Sequence, residues 1–140
     1  MNGRPTGATL TVADIMTLDP VVIRADAPLE DAERLMRDRH ISGLPVVDGF
    51  ERLVGLISRT DFLHDGSASL AFLLRRRPTG LRVGELMTSP AVTTSLSAPL
   101  DEAARLMRDN RIHRVVAIDD AGRPVGVLAA SDFVALYADG

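Results

Sequence analysis

Ala27-Pro28-Leu29-Glu30-Asp31-Ala32-Glu33-Arg34-Leu35-Met36-Arg37-Asp38 returns seventy-one residues later as Ala98-Pro99-Leu100-Asp101-Glu102-Ala103-Ala104-Arg105-Leu106-Met107-Arg108-Asp109. At that one offset residues 12–63 align with 83–134 without a gap, and 20 of the 52 positions are identical. Chance does not sustain such a match, so the chain is an internal duplication. In each copy the block reads as a helix. Leu29, Ala32, Leu35 and Met36 form one apolar stripe at helical spacing, and Leu100, Ala103, Leu106 and Met107 repeat it. Pro28 and Pro99 fall in the first turn, where a missing N–H costs little. Asp26 or Ser97 is expected to accept hydrogen bonds from the free amides there. Acidic Glu30, Asp31, Asp101 and Glu102 suit the positive end, and the helices are expected to end near Arg39 and Arg111.

On either side of the helix the copies also agree. Val12 to Met16 and Val83 to Met87 each fit a single helical turn. Val21-Val22-Ile23 reads as a short β-branched strand, with the more polar Val92-Thr93-Thr94 as its counterpart. Beyond the helix two strands are expected in each copy: Leu44 to Val47 and Leu53 to Ile57, then Val115 to Ile118 and Val125 to Leu128. Asp48 to Arg52 and Asp119 to Arg123 read as the hairpin turns that join them. Pro45 argues for an edge strand or a non-bonded site, and Pro124 plays that part in the second copy. A short helix starts near Asp61 and another near Asp132. Each copy thus reads strand, helix, strand, strand, helix, a small α+β unit with one covered face.

The chain is therefore expected to divide into a loose tail over 1–11, a first domain over 12–65, a connector over 66–82 and a second domain over 83–140. The connector is expected to be helical over 68–77, closing in Arg75-Arg76-Arg77 at a helix end that favours positive charge. Each copy is near the size at which a lone domain is marginal, so the two are expected to share apolar surface.

Composition excludes several chemistries. Of 140 residues 46% are hydrophobic and 25% charged, which permits a useful core. The net charge of -3 gives no general pull toward nucleic acid or anionic lipid. There is no cysteine, so disulfides, thiolate catalysis and thiolate metal sites are absent. All 16 basic residues are arginine, which removes Schiff-base chemistry and a Walker lysine. No apolar run approaches the roughly 20 residues of a membrane span, and the start resembles no signal peptide. A cytoplasmic location is the default expectation. His40, His64 and His113 show no metal-ligand spacing, and Ser58 has no evident base. No catalytic metal, cofactor or enzyme activity is expected.

Chemistry concentrates instead where a strand stops. Val54-Gly55-Leu56-Ile57-Ser58-Arg59-Thr60-Asp61-Phe62 ends an apolar run in hydroxyls, a cation and a carboxylate; Val125-Gly126-Val127-Leu128-Ala129-Ala130-Ser131-Asp132-Phe133 keeps the aspartate but replaces Ser58 and Arg59 with alanines. A carboxylate can accept two hydrogen bonds from a vicinal diol, and a hydroxyl with helix-start amides can donate to an anion. The same residues also serve a plainer purpose: Asp61 as a helix cap, Ser58 as turn filler, or Thr60 as the N-cap with Asp61 in the first turn.

These landmarks together resemble a tandem pair of cystathionine-beta-synthase-type (CBS) domains. They are Ile15-Met16-Thr17 with Leu86-Met87-Thr88, Pro28-Leu29 with Ala32 and Met36, Pro99-Leu100 with Ala103 and Met107, Ser42-Gly43-Leu44-Pro45-Val46-Val47, and Gly55 to Asp61. The resemblance runs from about Val12 to the end. It implies two repeats packed about a pseudo-twofold axis, with a cleft between them for an adenosine-containing ligand such as AMP, ADP, ATP or S-adenosylmethionine. It further implies a homodimer and a regulatory output through a separate effector protein.

By the same resemblance Ser58 lies near phosphate and Asp61 binds ribose, with Thr60 beside them. Arg59 either grips phosphate through its fork of donors or is a solvated surface side chain. Val22, Leu44 and Pro45 are candidates for an adenine slot, although strand alternation keeps them from all facing one ligand. Arg114 stands where the family often has a basic residue near phosphate, and Asp132 marks a second, weaker site. The leading expectation is a stand-alone sensor module that binds such a ligand and signals through a partner. The alternatives are a ligand-free interaction or structural module, and a nucleic-acid-binding protein using the arginine run.

Overall fold

The computed structural model describes residues 10–18, 20–59, 61 and 80–139. The expected connector helix over 68–77, the arginine run Arg75 to Arg77 and the Thr60 side chain lie outside these residues. The described elements are α1 (Val12–Ile15), β1 (Thr17–Leu18), β2 (Ile23–Arg24), α2 (Leu29–Arg39), β3 (Gly43–Val47), β4 (Leu53–Ser58), α3 (Val83–Leu86), β5 (Thr93–Thr94), α4 (Leu100–Asn110), β6 (Arg114–Ile118), β7 (Pro124–Ala129) and α5 (Ala130–Asp139). The strand–helix–strand–strand–helix pattern is complete in the second repeat; the first shows strand–helix–strand–strand, and beyond Asp61 the helix expected there lies outside the described residues. The fold is of the α+β type expected.

The compact units do not follow the duplication. A central unit is drawn from Val21–Ala91 and a terminal unit from Met1–Pro20 with Val92–Gly140. In the central unit the sheet order is β2-β3-β4, with β2 parallel to β3 and β3 antiparallel to β4. In the terminal unit it is β1-β7-β6-β5. Each repeat gives its opening helical turn to the other repeat's body. Val83 of α3 is fully buried with Leu29, Ala32, Met36, Leu44 and Ile57 of the central unit. Val12 of α1 is buried with Leu100, Ala103, Met107, Val115 and Leu128 of the terminal unit. Backbone bonds fix the exchange: Val83 N–H donates to the Ala27 carbonyl at 3.0 Å, and Val12 N–H to the Ala98 carbonyl at 2.9 Å.

That exchange also caps the long helices. The expected side-chain caps from Asp26 and Ser97 are not formed. The N-cap residues are Pro28 and Pro99, without a side-chain cap bond. The first amides are satisfied by main chain instead, Leu29 N–H by the Leu81 carbonyl at 2.9 Å and Leu100 N–H by the Leu10 carbonyl at 2.8 Å. A docked strand of backbone thus does what a short polar side chain does elsewhere, and Asp26 turns to pair with Arg24 at 2.8 Å. The far ends are as read: α2 stops at Arg39 and α4 at Asn110, followed by His40 and Arg111 in the left-handed region. Ile41 N–H then reaches back to the Met36 carbonyl and Ile112 N–H to Met107, both at 3.0 Å, which closes the last turn.

β3 is the central strand of its sheet, so the edge position is overturned for Pro45. The alternative, a non-bonded site, is what the register shows. Pro45 sits opposite Leu56, whose N–H and C=O bond Thr88 on the other side. The nitrogen of Pro45 faces the β2 side just ahead of the first paired residue, Val46. The bond given up on that side is the one its counterpart Val116 makes, N–H to the Val92 carbonyl at 3.2 Å, and pairing with β2 starts one residue later than pairing of β6 with β5.

Both hairpin turns are organised by one aspartate. Asp48 Oδ1 accepts from Phe50 N–H at 2.8 Å and Arg52 N–H at 3.0 Å. Asp119 Oδ1 accepts from Ala121 N–H and Arg123 N–H, both at 2.9 Å. Arg52 Nε and Arg123 Nε then donate to the second oxygens. Gly55 on β4 has a different reason to be glycine: a Cβ there would stand 2.6 Å from Met87 Sδ and 2.8 Å from the Thr88 carbonyl oxygen. The bare backbone lets the segment after α3 lie against the strand.

Candidate functional site

β4 ends at Ser58, which is 7% exposed. The chain then turns into helical geometry at Arg59 and Asp61. Arg59 N–H donates to the Ser42 carbonyl at 2.9 Å, which ties the turn to the start of β3. The Asp61 carboxylate folds back onto the strand end. Its Oδ2 accepts from Ser58 N–H at 2.7 Å and from Ser58 Oγ at 3.2 Å. Ser58 and Asp61, read as partners from the sequence, are therefore in direct contact. Arg59 is exposed beside them.

A carboxylate accepting the N–H three residues earlier is half of a capping box, and this chain uses the device repeatedly. Asp14 takes Thr11 N–H at 2.8 Å, Glu85 takes Arg82 N–H at 2.7 Å and Asp132 takes Ala129 N–H at 2.8 Å. The capping role weighed for Asp61 is thus present. What sets Asp61 apart is its other oxygen, because Oδ1 accepts from Thr88 Oγ1 at 2.8 Å, twenty-seven residues away in sequence. By the resemblance the residues after Met16 and Met87 serve the adenine; a bond from Thr88 to Asp61 was not expected. The signal of Thr88 was visible: Thr17 and Thr88 are identical and follow the repeated methionine. Its place beside Asp61 depends on the exchange of opening segments, which local sequence does not reveal.

The other sequence candidates are distributed as follows. Leu44 is fully buried in the core beneath α2, with Val46 and Ile57. Pro45, on the opposite face of β3, is also fully buried. Val22 is 38% exposed just before β2. These three do not share a face, as strand alternation requires. In the terminal unit Arg114 opens β6 opposite Ala129, and Ala130 N–H donates to the His113 carbonyl at 2.8 Å. Asp132 keeps its bond to Ala129 N–H, but Ala129 offers no hydroxyl. Thr17 pairs with Val127 as Thr88 does with Leu56, yet among the described residues no bond joins Thr17 to Asp132. Nor does any group of histidine and acidic side chains among the described residues converge as a metal site. No helix among them is long and apolar enough to cross a membrane.

Comparison with known proteins gives a consistent account. A family model described as CBS domain matches residues 12–66 and again 83–139. Inosine-5'-monophosphate dehydrogenase of Thermoplasma acidophilum is 30% identical over 128 residues, covering 90% of this chain and 22% of that enzyme. Homoserine O-acetyltransferase of Methanosalsum zhilinae is 29% identical over 123 residues, covering 88% and 23%. The chain thus spans about a fifth of the length of the curated relatives it matches. Among solved structures, the CBS domain pair of protein MJ0100, in complex with 5'-methylthioadenosine and S-adenosyl-L-methionine, aligns with a TM-score of 0.77 at 26% identity, covering 93% of this chain and 97% of that one. CBSX2, a CBS-pair protein from Arabidopsis thaliana, aligns in its AMP complex with a TM-score of 0.76 at 31% identity, covering 92% and 96%.

Proposed function

This chain belongs to the CBS domain family, and from that premise we propose that it is a regulatory module that binds an adenosine-containing ligand at the Ser58–Asp61 strand end. CBS domains are a non-catalytic regulatory fold, so the output is a change in a protein contact. The observation that carries the reading is the Asp61 carboxylate, held beside a buried hydroxyl at the start of a helix. That pairing suits a ribose diol next to an anion. AMP, S-adenosylmethionine and methylthioadenosine, bound by two relatives above 25% identity, share the adenosine that such a site would grip. Arg59, beside Ser58, is positioned by sequence to meet a phosphate; Arg114 is assigned to the terminal unit's strand end, where Asp132 lacks the neighbouring hydroxyl. The proposal extends to a homodimer acting on an effector protein in the cytoplasm, with ATP and ADP among the candidate ligands.

Thermal melting against AMP, ADP, ATP and S-adenosylmethionine, each near ~1 mM, tests this. A ligand at about 100 times its dissociation constant adds about 2.7 kcal/mol, which raises the midpoint by several degrees. Asp61→Ala is expected to weaken the responding ligand about ten- to a hundredfold, the effect of losing charge-assisted hydrogen bonds. Asp132→Ala is expected to leave its affinity unchanged. A second reading, a ligand-free interaction module, draws on the missing hydroxyl at Ala129 and predicts no shift with any of the four.

A further inference from the structure

We infer that Thr88 is a positioning residue for Asp61 and makes the site selective for an intact ribose. The inference rests on the function proposed above. A capping-box bond explains one oxygen of Asp61, since Asp14, Glu85 and Asp132 make the same bond at other helix starts. It does not explain the bond from Thr88 Oγ1 to Oδ1 at 2.8 Å. That hydroxyl comes from a rigid anchor. Thr88 N–H donates to the Leu56 carbonyl at 2.8 Å and Leu56 N–H returns a bond to the Thr88 carbonyl at 3.0 Å. Next to it, Ser89 Oγ donates to the Val54 carbonyl at 2.8 Å. With Oδ2 tied to β4 and Oδ1 tied to the segment after α3, rotation about either side-chain torsion breaks at least one of these bonds.

An ionised carboxylate has about four acceptor positions. Two on Oδ2 face Ser58 and one on Oδ1 faces Thr88. Among the described residues no donor takes the remaining Oδ1 position, which suits one ribose hydroxyl. The longest of the three bonds, from Ser58 Oγ at 3.2 Å, is the one a second ribose hydroxyl would displace at Oδ2. Thr88 keeps the two acceptor positions in the plane a vicinal diol needs, so the ordering cost is met before the ligand arrives. Asp132 lacks this second restraint and so presents no fixed plane.

The test is calorimetric titration of AMP and 2'-deoxy-AMP into the wild type, Thr88→Val and Thr88→Ser. Valine keeps the shape and removes the donor; serine keeps the donor. Thr88→Val is expected to weaken AMP about tenfold, the size of one net hydrogen bond, and to change 2'-deoxy-AMP by less than about twofold. The preference for the ribonucleotide then collapses, and Thr88→Ser restores it. Equal weakening of both nucleotides, or an unchanged preference in Thr88→Val, overturns the positioning role while the site itself stands. Failure of the wild type to bind either nucleotide overturns both this inference and the adenosine-phosphate reading beneath it.

Discussion

Glu51 occupies the left-handed region at φ 66° in the first hairpin, where the second hairpin has Gly122 at φ 83°. An L side chain in that region costs about 1–2 kcal/mol, whereas glycine enters it freely but loses more conformational entropy on folding. Glu51→Gly is therefore expected to raise the unfolding free energy by up to about 1 kcal/mol, and Gly122→Ala to lower it by about 1–2 kcal/mol. Urea denaturation of the two variants checks both signs, and a loss of stability in Glu51→Gly would show that the side chain contributes more than its backbone costs. The hydroxyl of Thr94 is a second residue-level exception. It is buried without a hydrogen-bond partner at the place where the first repeat has Ile23, and the structure supplies no reason for it. At this scale the sequence spoke clearly where a contact is local. Ser58 and Asp61 are three apart at a helix start, so their meeting was legible. Thr88 meets Asp61 only through a long-range placement, and its identity with Thr17 marked it without saying what it touches.

Among elements, the two hairpins are the most alike in detail, and each depends on an ionised aspartate. The Arg52 N–H is the main group holding the Asp48 carboxyl below its ordinary value of 3.8; burial, the next largest influence, opposes it, and the Phe50 N–H and the Arg52 guanidinium add to the lowering. Asp119 is held down in the same way, first by the Arg123 N–H. A carboxyl whose folded pKa is depressed contributes stability that is present above the unfolded value and is lost as pH falls through the folded one. Stability is thus expected to decline as pH drops below 3.8, with both turns contributing. In Asp48→Asn with Asp119→Asn, the protein is expected to be less stable than wild type near neutrality, and the gap is expected to narrow through that acid range. Chemical denaturation at a series of pH values measures it; a gap that stays constant would mean the carboxylates act by shape alone. The long helices were legible from their apolar stripes and the acidic residues of their first turns. Their N-termini were not, because the cap is a backbone segment just ahead of the other repeat rather than a side chain next door.

At the scale of the whole molecule, the duplication read from sequence and the units found in space are cut at different places. Periodicity finds the repeat because it compares residues with residues; it holds no information on which body a four-residue helix joins. The structure assigns α3 to the central unit through Val83 and α1 to the terminal unit through Val12. A fragment spanning 21–91 is accordingly expected to melt cooperatively, with its core complete. A fragment spanning 12–66 lacks Val83 and the Leu81 carbonyl that caps α2, and is expected to show no cooperative transition above about 20 °C, since domains this small have little stability to spare. Thermal circular dichroism of the two fragments distinguishes them. Equal melting would mean that α3 adds little to the central core.

The same exchange sets an order of events on the ribosome. The central unit has all its parts once residue 91 has emerged, whereas the segment carrying Val12, made before it, must wait for strands β6 and β7, made after it. Translation at about 5–20 residues per second leaves that opening segment exposed for seconds while its neighbours close. The central unit therefore closes first, and Val12, made before it, is buried after it.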